Sequence, residues 1–201
     1  KVNKNKGPKP IDIIKKYQDK ELNRDFLLPK LKQYKKFGDC ILLINQIVGD
    51  TAVVPHHPIK WIYEKIIDIR KYSNKVIIIR EHPLQLPDNK ELLKKILIEI
   101  NSNCFISNKK KIEDDLESAA SCVTLSSSAA IDALINGVPV FVEDTRSFAY
   151  GVANLDIKNI NNPINNERET LFKSIANTHW SIEEIKNGKC WFFLKKILKK
   201  N

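Results

Sequence analysis

A histidine–proline pair follows one apolar run of this chain, and three consecutive serines follow another. His82 and Pro83 come just after "KVIIIR" (75–80), and Ser126, Ser127 and Ser128 directly after "CVTL" (122–125). An imidazole at the end of a strand can donate to an anion or protonate a leaving group. Small hydroxyl residues at the start of a helix leave its free N–H groups and positive dipole end open to a phosphate. The same serines can instead cap that helix, taking up an N–H themselves. The composition leaves both readings open for Ser126–Ser128.

Other polar residues recur at comparable points. Gln46, Gly49 and Asp50 follow the apolar run at 40–45, and Glu143, Asp144, Thr145 and Arg146 follow the run at 139–142. Arg80 can support an anion, or it can pair with Glu81 or a helix carboxylate. The acidic triplet 113–115 reads as the solvated face of a helix. His56, His57 and His179 lack such a setting and read as polar surface. There is no Walker A motif and no G-x-G-x-x-G. Nothing calls for a metal or a cofactor beyond a donor substrate.

These residues need elements to position them. The runs at 40–45, 75–80, 104–107, 122–125 and 139–142 are short and apolar and read as strands, the first of them continuous, as expected of a strand buried on both faces. Helical rhythms separate them at 59–73, 90–101, 111–120 and 127–136, the last closed by Gly137. Strands alternating with crossovers of this length are parallel, so the fold class is α/β, a doubly wound five-stranded parallel sheet. Helices at 166–180, 181–188 and 191–200 follow it. Ser181 and Glu184 are spaced as a capping box. Residues 1–39 read as an N-terminal helix (11–22) and a connector, and residues 40–201 as the sheet domain with its C-terminal helices. In open parallel sheets ligands bind beyond the carboxyl ends of the strands, where the polar residues above collect.

The chain has 201 residues, 42% of them hydrophobic and 29% charged, enough for a full core. No apolar run is long enough to span a membrane, and no secretion signal opens the chain. The four cysteines form no C-x-x-C pair. Cys40, Cys104 and Cys122 lie in apolar runs and read as buried thiols of a reducing, cytoplasmic compartment. The formal net charge is +10, concentrated toward the ends. Lysine-rich ends suit an anionic partner, although no basic groove with interleaved aromatics is visible. Trp180, Trp191, Phe192 and Phe193 are too apolar to leave exposed together, so the C-terminal helices are expected to fold back on the sheet, with some of that surface available for a homodimer.

The HP pair, the serine cluster, Asp132 and "GVPVFVEDTRSFAY" (137–150) together resemble the C-terminal, donor-binding half of GT-B glycosyltransferases. The likeness extends over about residues 40–190. It is closest to capsule-polysaccharide Kdo transferases and HP-motif bacterial sialyltransferases, and it also touches phage-type glycosyltransferase-like proteins. It implies a Rossmann-like nucleotide-sugar domain of a metal-independent transferase, with a CMP-sugar among the donors. By the same resemblance His82 acts at the leaving phosphate. Ser127 and Ser128 hold that phosphate, and Asp132 approaches the ribose. Strand-end position adds Ser126, Gln46 and Gly49 to the expected nucleotide or phosphate site, and Arg80 joins it as a cation able to support an anion. Asp132 stands where the family usually has Glu, and the 39 residues before the first strand are too few for the family's acceptor domain. The implied partners are a nucleotide sugar and a glycan acceptor. Two alternatives are a sugar transferase acting on a modified nucleic-acid base and a non-catalytic nucleotide- or phosphate-binding module.

Overall fold

The computed structural model describes residues 24–100 and 102–198, with side chains up to residue 195. The helix expected over 11–22 lies outside the described residues. Five strands form one sheet: β1 (Cys40–Ile44), β2 (Val76–Arg80), β3 (Cys104–Ile106), β4 (Ala119–Thr124) and β5 (Val140–Val142). Their order is β3-β2-β1-β4-β5, and every pairing is parallel. This is the expected α/β fold, a five-stranded Rossmann-like parallel sheet. The chain winds outward from β1 through β2 to β3, then crosses back to place β4 on the other side of β1. The reversal puts a topological switch point between β1 and β4.

The continuous apolar run of β1 has a direct cause in the two-residue period of a strand. Ile41 and Leu43 face a layer built on α1 (Pro58–Arg70) and α2 (Pro87–Ile100), where they meet Ile59, Ile62, Ile66, Ile69 and Leu93. Leu42 and Ile44 face α3 (Ile112–Leu116), α4 (Ala129–Ile135) and α5 (Glu169–Thr178), meeting Leu116, Ala133, Leu134 and Phe172. Both faces are covered, so neither can be polar. Burying a side chain of this size is worth about 1.5–3 kcal/mol. α1 starts with Pro58 at its first turn and buries Ile59, Ile62, Ile66 and Ile69 at helical spacing.

Several boundaries differ from expectation. α3 is short, and β4 begins at Ala119 rather than at 122. The carbonyl of Ser118 accepts from the N–H groups of Asp39 and Cys40, which starts the β1–β4 pairing early. Gly38 permits it, because a Cβ there would meet Ala120 N at 2.3 Å. α2 begins at Pro87, three residues before the expected Lys90. Proline fits a first turn, where its missing N–H costs nothing.

The connector is bound to the domain along its described length. Lys32 N–H donates to Ile135 O and Lys35 N–H to Gly137 O. The buried Arg168 guanidinium donates to the carbonyls of Leu134 and Lys32 and stacks on Tyr34 at 4.1 Å. Gly137 has φ +72°, and a Cβ there would lie 2.0 Å from Gln33 O, so the C′ glycine serves both the turn and this crossing.

The C-terminal helices divide in their behaviour. α5 packs on the sheet through Leu171 and Phe172, with Ile175 against the same cluster. α6 (Ile182–Lys186) and α7 (Lys189–Leu198) pack mainly on each other. The Ser181–Glu184 capping box is formed. Trp180 meets Phe193 at 5.6 Å and lies under the Arg24 guanidinium, but Trp191 and Phe192 are 62% and 64% exposed. The expectation that this aromatic cluster would be covered therefore fails for Trp191 and Phe192, because both faces of the sheet are already occupied by α1–α5. No helix among the described residues is long and apolar enough to cross a membrane.

Candidate functional site

The site is built where β1 and β4 end side by side. The ladder closes with Ile44 opposite Thr124 on one side and Arg80 on the other. Just beyond it, Gln46 is buried and braces the serine turn. Its Oε1 accepts from Ser126 N–H at 3.0 Å, and its Nε2 donates to Ser126 Oγ at 3.3 Å. A second buried glutamine, Gln85, donates through Nε2 to Gln46 O at 3.2 Å and accepts from Asn89 at 3.2 Å. The loops after β1, β2 and β4 are thus locked together by two buried amides, which have few satisfactory alternatives once out of water.

The serines divide their work. Ser127 N–H donates to Thr124 Oγ1 at 3.3 Å, and Ser127 Oγ accepts from Ala129 N–H at 3.3 Å. The Ser127 N–H is therefore not free for a phosphate, although its hydroxyl proton still is. Ser128 is the N-cap residue of α4 and makes no side-chain cap bond. The capping reading holds for the Ser127 hydroxyl and fails for Ser126 and Ser128.

His82 Nδ1 accepts from Leu84 N–H at 3.2 Å. That bond assigns the proton of the neutral ring to Nε2, leaving a donor there. Beside it, Glu81 has its Oε1 buried with no hydrogen-bond partner among the described residues, and burial raises its pKa against the opposing charges of Lys90 and Lys94.

Together these residues line an open cleft of about 310 Å³. Gln46, Ile47, Asp50 and Ala52 come from the β1 loop, His82 from the β2 loop and Ser126–Ser128 from the β4 loop; Arg146 and Phe148 close it from the β5 loop. Asp50 Oδ1 accepts from Ala52 N–H at 2.8 Å, forming the turn on that side. Arg146 donates through Nε to Asp144 at 2.9 and 3.0 Å, and through Nη2 to Val54 O at 2.9 Å. Burial opposes ionisation of Asp144, but the hydrogen bonds and charge of Arg146 outweigh it and hold the carboxyl below its ordinary range.

Three of the candidate residues stand apart from the cleft lining. Arg80 donates to Asp115 Oδ2 at 2.5 Å and to the carbonyls of Lys109, Lys110 and Lys111. Asp115 is 6% exposed and also accepts from Ser107 Oγ, so the triplet 113–115 is not wholly a solvated face. The arrangement makes Arg80 a structural cation. Asp132 lies on α4 outside the cleft, half-buried, with its pKa raised by burial and by Glu113. Gly49 supplies a turn at φ +92° within the loop that carries Ile47 and Asp50, without lining the cleft itself.

Sequence reasoning placed Arg146 after the last strand without assigning it to a site, and it missed Phe148, Ile47, Ala52 and Gln85. Position just past a strand was the usable signal for Arg146. The others sit in irregular loops, where neither periodicity nor motif marks them. Among the described residues no group of three or more His, Cys, Asp or Glu is arranged to hold a metal ion.

No curated protein matches the chain. Two similar solved structures are the beta Kdo 2,7 transferase and the beta Kdo 2,4 transferase of Thermosulfurimonas dismutans KpsC. The first is 18% identical, with TM-score 0.47 over 84% of this chain and 52% of its own. The second is 14% identical, with TM-score 0.44 over 86% of this chain and 56% of its own. The chain thus spans about half the length of these solved structures. The family of capsule polysaccharide biosynthesis proteins matches over residues 8–182, and this chain belongs to that family.

Proposed function

We propose that the chain is the donor-binding part of a glycosyltransferase in capsule polysaccharide synthesis, and that the switch-point cleft holds the phosphate of a nucleotide sugar. A CMP-sugar is the first donor to try, and a glycan is the acceptor. The observation that carries the reading is the convergence of His82, the serine turn and Arg146 on one cleft at the strand ends. Family membership points to the same chemistry.

In such a transfer the bond between the anomeric carbon and the donor phosphate oxygen breaks, and the acceptor oxygen bonds to that carbon while losing its proton. Negative charge gathers on the departing phosphate. Fixed donors already aimed at that position stabilise the charge without reorganising. Nε2 of His82, the hydroxyl protons of Ser127 and Ser128 and Nη1 of Arg146, whose Nε and Nη2 are engaged by Asp144 and Val54 O, are the donors available. The two buried glutamines keep the loops in place before the donor arrives.

A thermal-shift panel of CMP, UMP, UDP, GDP and inorganic phosphate tests the reading. A nucleotide at a hundred times its Kd stabilises the fold by about 2.7 kcal/mol. The expected result is a clear upward shift for at least one nucleotide. No shift with any of them up to millimolar concentration would contradict it.

A further inference from the structure

Phe148 is a large apolar ring in the cleft lining, 41% exposed, beside the polar groups of His82, the serines and Arg146 and the smaller apolar side chains of Ile47 and Ala52. Its mount is rigid. Ser147 and Ala149 on either side are both buried. Ser147 N–H donates to Asp144 O at 3.0 Å, and Ala149 N–H donates to Ser147 Oγ at 3.3 Å. The Phe148 ring meets His179 edge-on, with centroids 5.6 Å apart and planes at 63°. His179 is itself fixed at the end of α5, its N–H donating to Ile175 O at 2.9 Å and its Nδ1 lying 3.2 Å from the same carbonyl. A large apolar ring held still and left open beside polar donors suits a flat partner.

The order of the strands supplies the direction. His82 enters from the β2 side, the serines stand at the β1–β4 junction, and Phe148 enters from the β5 side. A mononucleotide with its phosphate between His82 and the serines has its sugar and base free to extend toward β5. Trp61, an indole near this edge, already spends its Nε1–H on Glu143 at 2.7 Å and does not line the cleft.

We infer that Phe148 is the platform on which the donor's nucleobase stacks. The inference rests on the nucleotide-binding reading above and adds the base subsite to it. Stacking engages the π face that every base has, so Phe148 supplies affinity with little choice among bases. His179 acts as a positioning residue by holding the ring.

Calorimetric titration of wild type, Phe148→Ala and Phe148→Trp with CMP, UMP and ribose 5-phosphate tests this. Phe148→Ala should weaken CMP and UMP alike by roughly ten- to a hundred-fold, and ribose 5-phosphate should bind as before. Phe148→Trp should retain nucleotide affinity. The base protons of CMP should move upfield in NMR spectra on binding to wild type, and should move less with Phe148→Ala. If wild type binds no nucleotide, the nucleotide reading falls and this inference falls with it. If wild type binds CMP and Phe148→Ala binds it equally well, the platform alone is overturned. An equal loss of CMP and ribose 5-phosphate also overturns it, because Phe148 would then only shape the cleft.

Discussion

The two rims of the sheet use the same residue types for opposite ends. At the amino-terminal rim the cations are consumed by main-chain carbonyls. Arg70 donates to the carbonyls of Ser102, Ser73, Lys75 and Asn103, Lys75 donates to Gly38 O, and Lys35 donates to Leu116 O and Glu117 O. At the carboxyl-terminal rim the loops after β1, β2 and β4 are tied by uncharged amides, Gln46 and Gln85, a cation, Arg146, links the β5 loop to Val54 O, and the donors of His82 and Ser128 face an open cleft. Arg80 is the carboxyl-rim cation spent wholly on structure, paired with Asp115 and outside the cleft lining. The difference teaches that strand-end position nominates a residue for a site, whereas the carbonyls and carboxylates around it decide whether it is available.

Arg80→Ala should break the fold hardest. It leaves the buried Asp115 carboxylate without its cation, a loss of about 3–5 kcal/mol for a buried pair. The urea midpoint should fall sharply while nucleotide affinity in the remaining folded protein holds. A loss of affinity without loss of stability would move Arg80 back into the site. Gln46→Ala should blur the contrast, because it unties the serine turn and leaves buried groups unsatisfied, costing about 1–3 kcal/mol. Both the urea midpoint and nucleotide affinity should drop, and a drop in only one would separate the bracing from the binding. Ser127→Ala should be milder, at about 1 kcal/mol of stability for the lost bond to Ala129 N–H, with a loss of affinity smaller than that of His82→Ala.

The smallest effect concerns acid. Burial opposes ionisation of Glu143, but its hydrogen bonds from Lys65 and Trp61 and the Lys65 charge outweigh that, and its pKa is lowered from the ordinary 4.5. A lowered carboxyl stabilises the fold above its unfolded pKa, and that contribution is lost as the pH falls through the folded value. Urea midpoints measured from pH 7 down to pH 3 should therefore fall less steeply in Glu143→Gln than in wild type. Parallel curves would show that Glu143 adds nothing.

Much of the fold was legible because five short apolar runs stood out between helical rhythms; β1, covered on both faces, is apolar throughout, whereas the edge strand β3 leaves Phe105 exposed. The start of β4 was hidden, since Ala119 and Ala120 read equally well as the end of a helix; the close approach of Gly38 decides the matter. For the site, His82, Ser126, Ser127, Ser128 and Gln46 were visible from strand-end position and do line the cleft. Arg80 and Asp132 were nominated by neighbourhood and resemblance, yet Arg80 is drawn off by Asp115 and Asp132 lies outside the cleft. Phe148 was unreadable, because a loop aromatic gains meaning only from what surrounds it in space. The exposure of Trp191 and Phe192 was likewise hidden, since composition does not say that α1–α5 leave no sheet face for them.

Calorimetric titration of wild type and His82→Ala with CMP and UMP, beside urea midpoints of both, tests the central claim most directly. One charge-assisted hydrogen bond contributes about 1.5–3 kcal/mol, and 1.4 kcal/mol is a factor of ten in affinity. His82→Ala should weaken nucleotide binding roughly ten- to a hundred-fold, with the folding free energy unchanged within about 0.5 kcal/mol. Equal nucleotide affinity in wild type and His82→Ala would contradict the account.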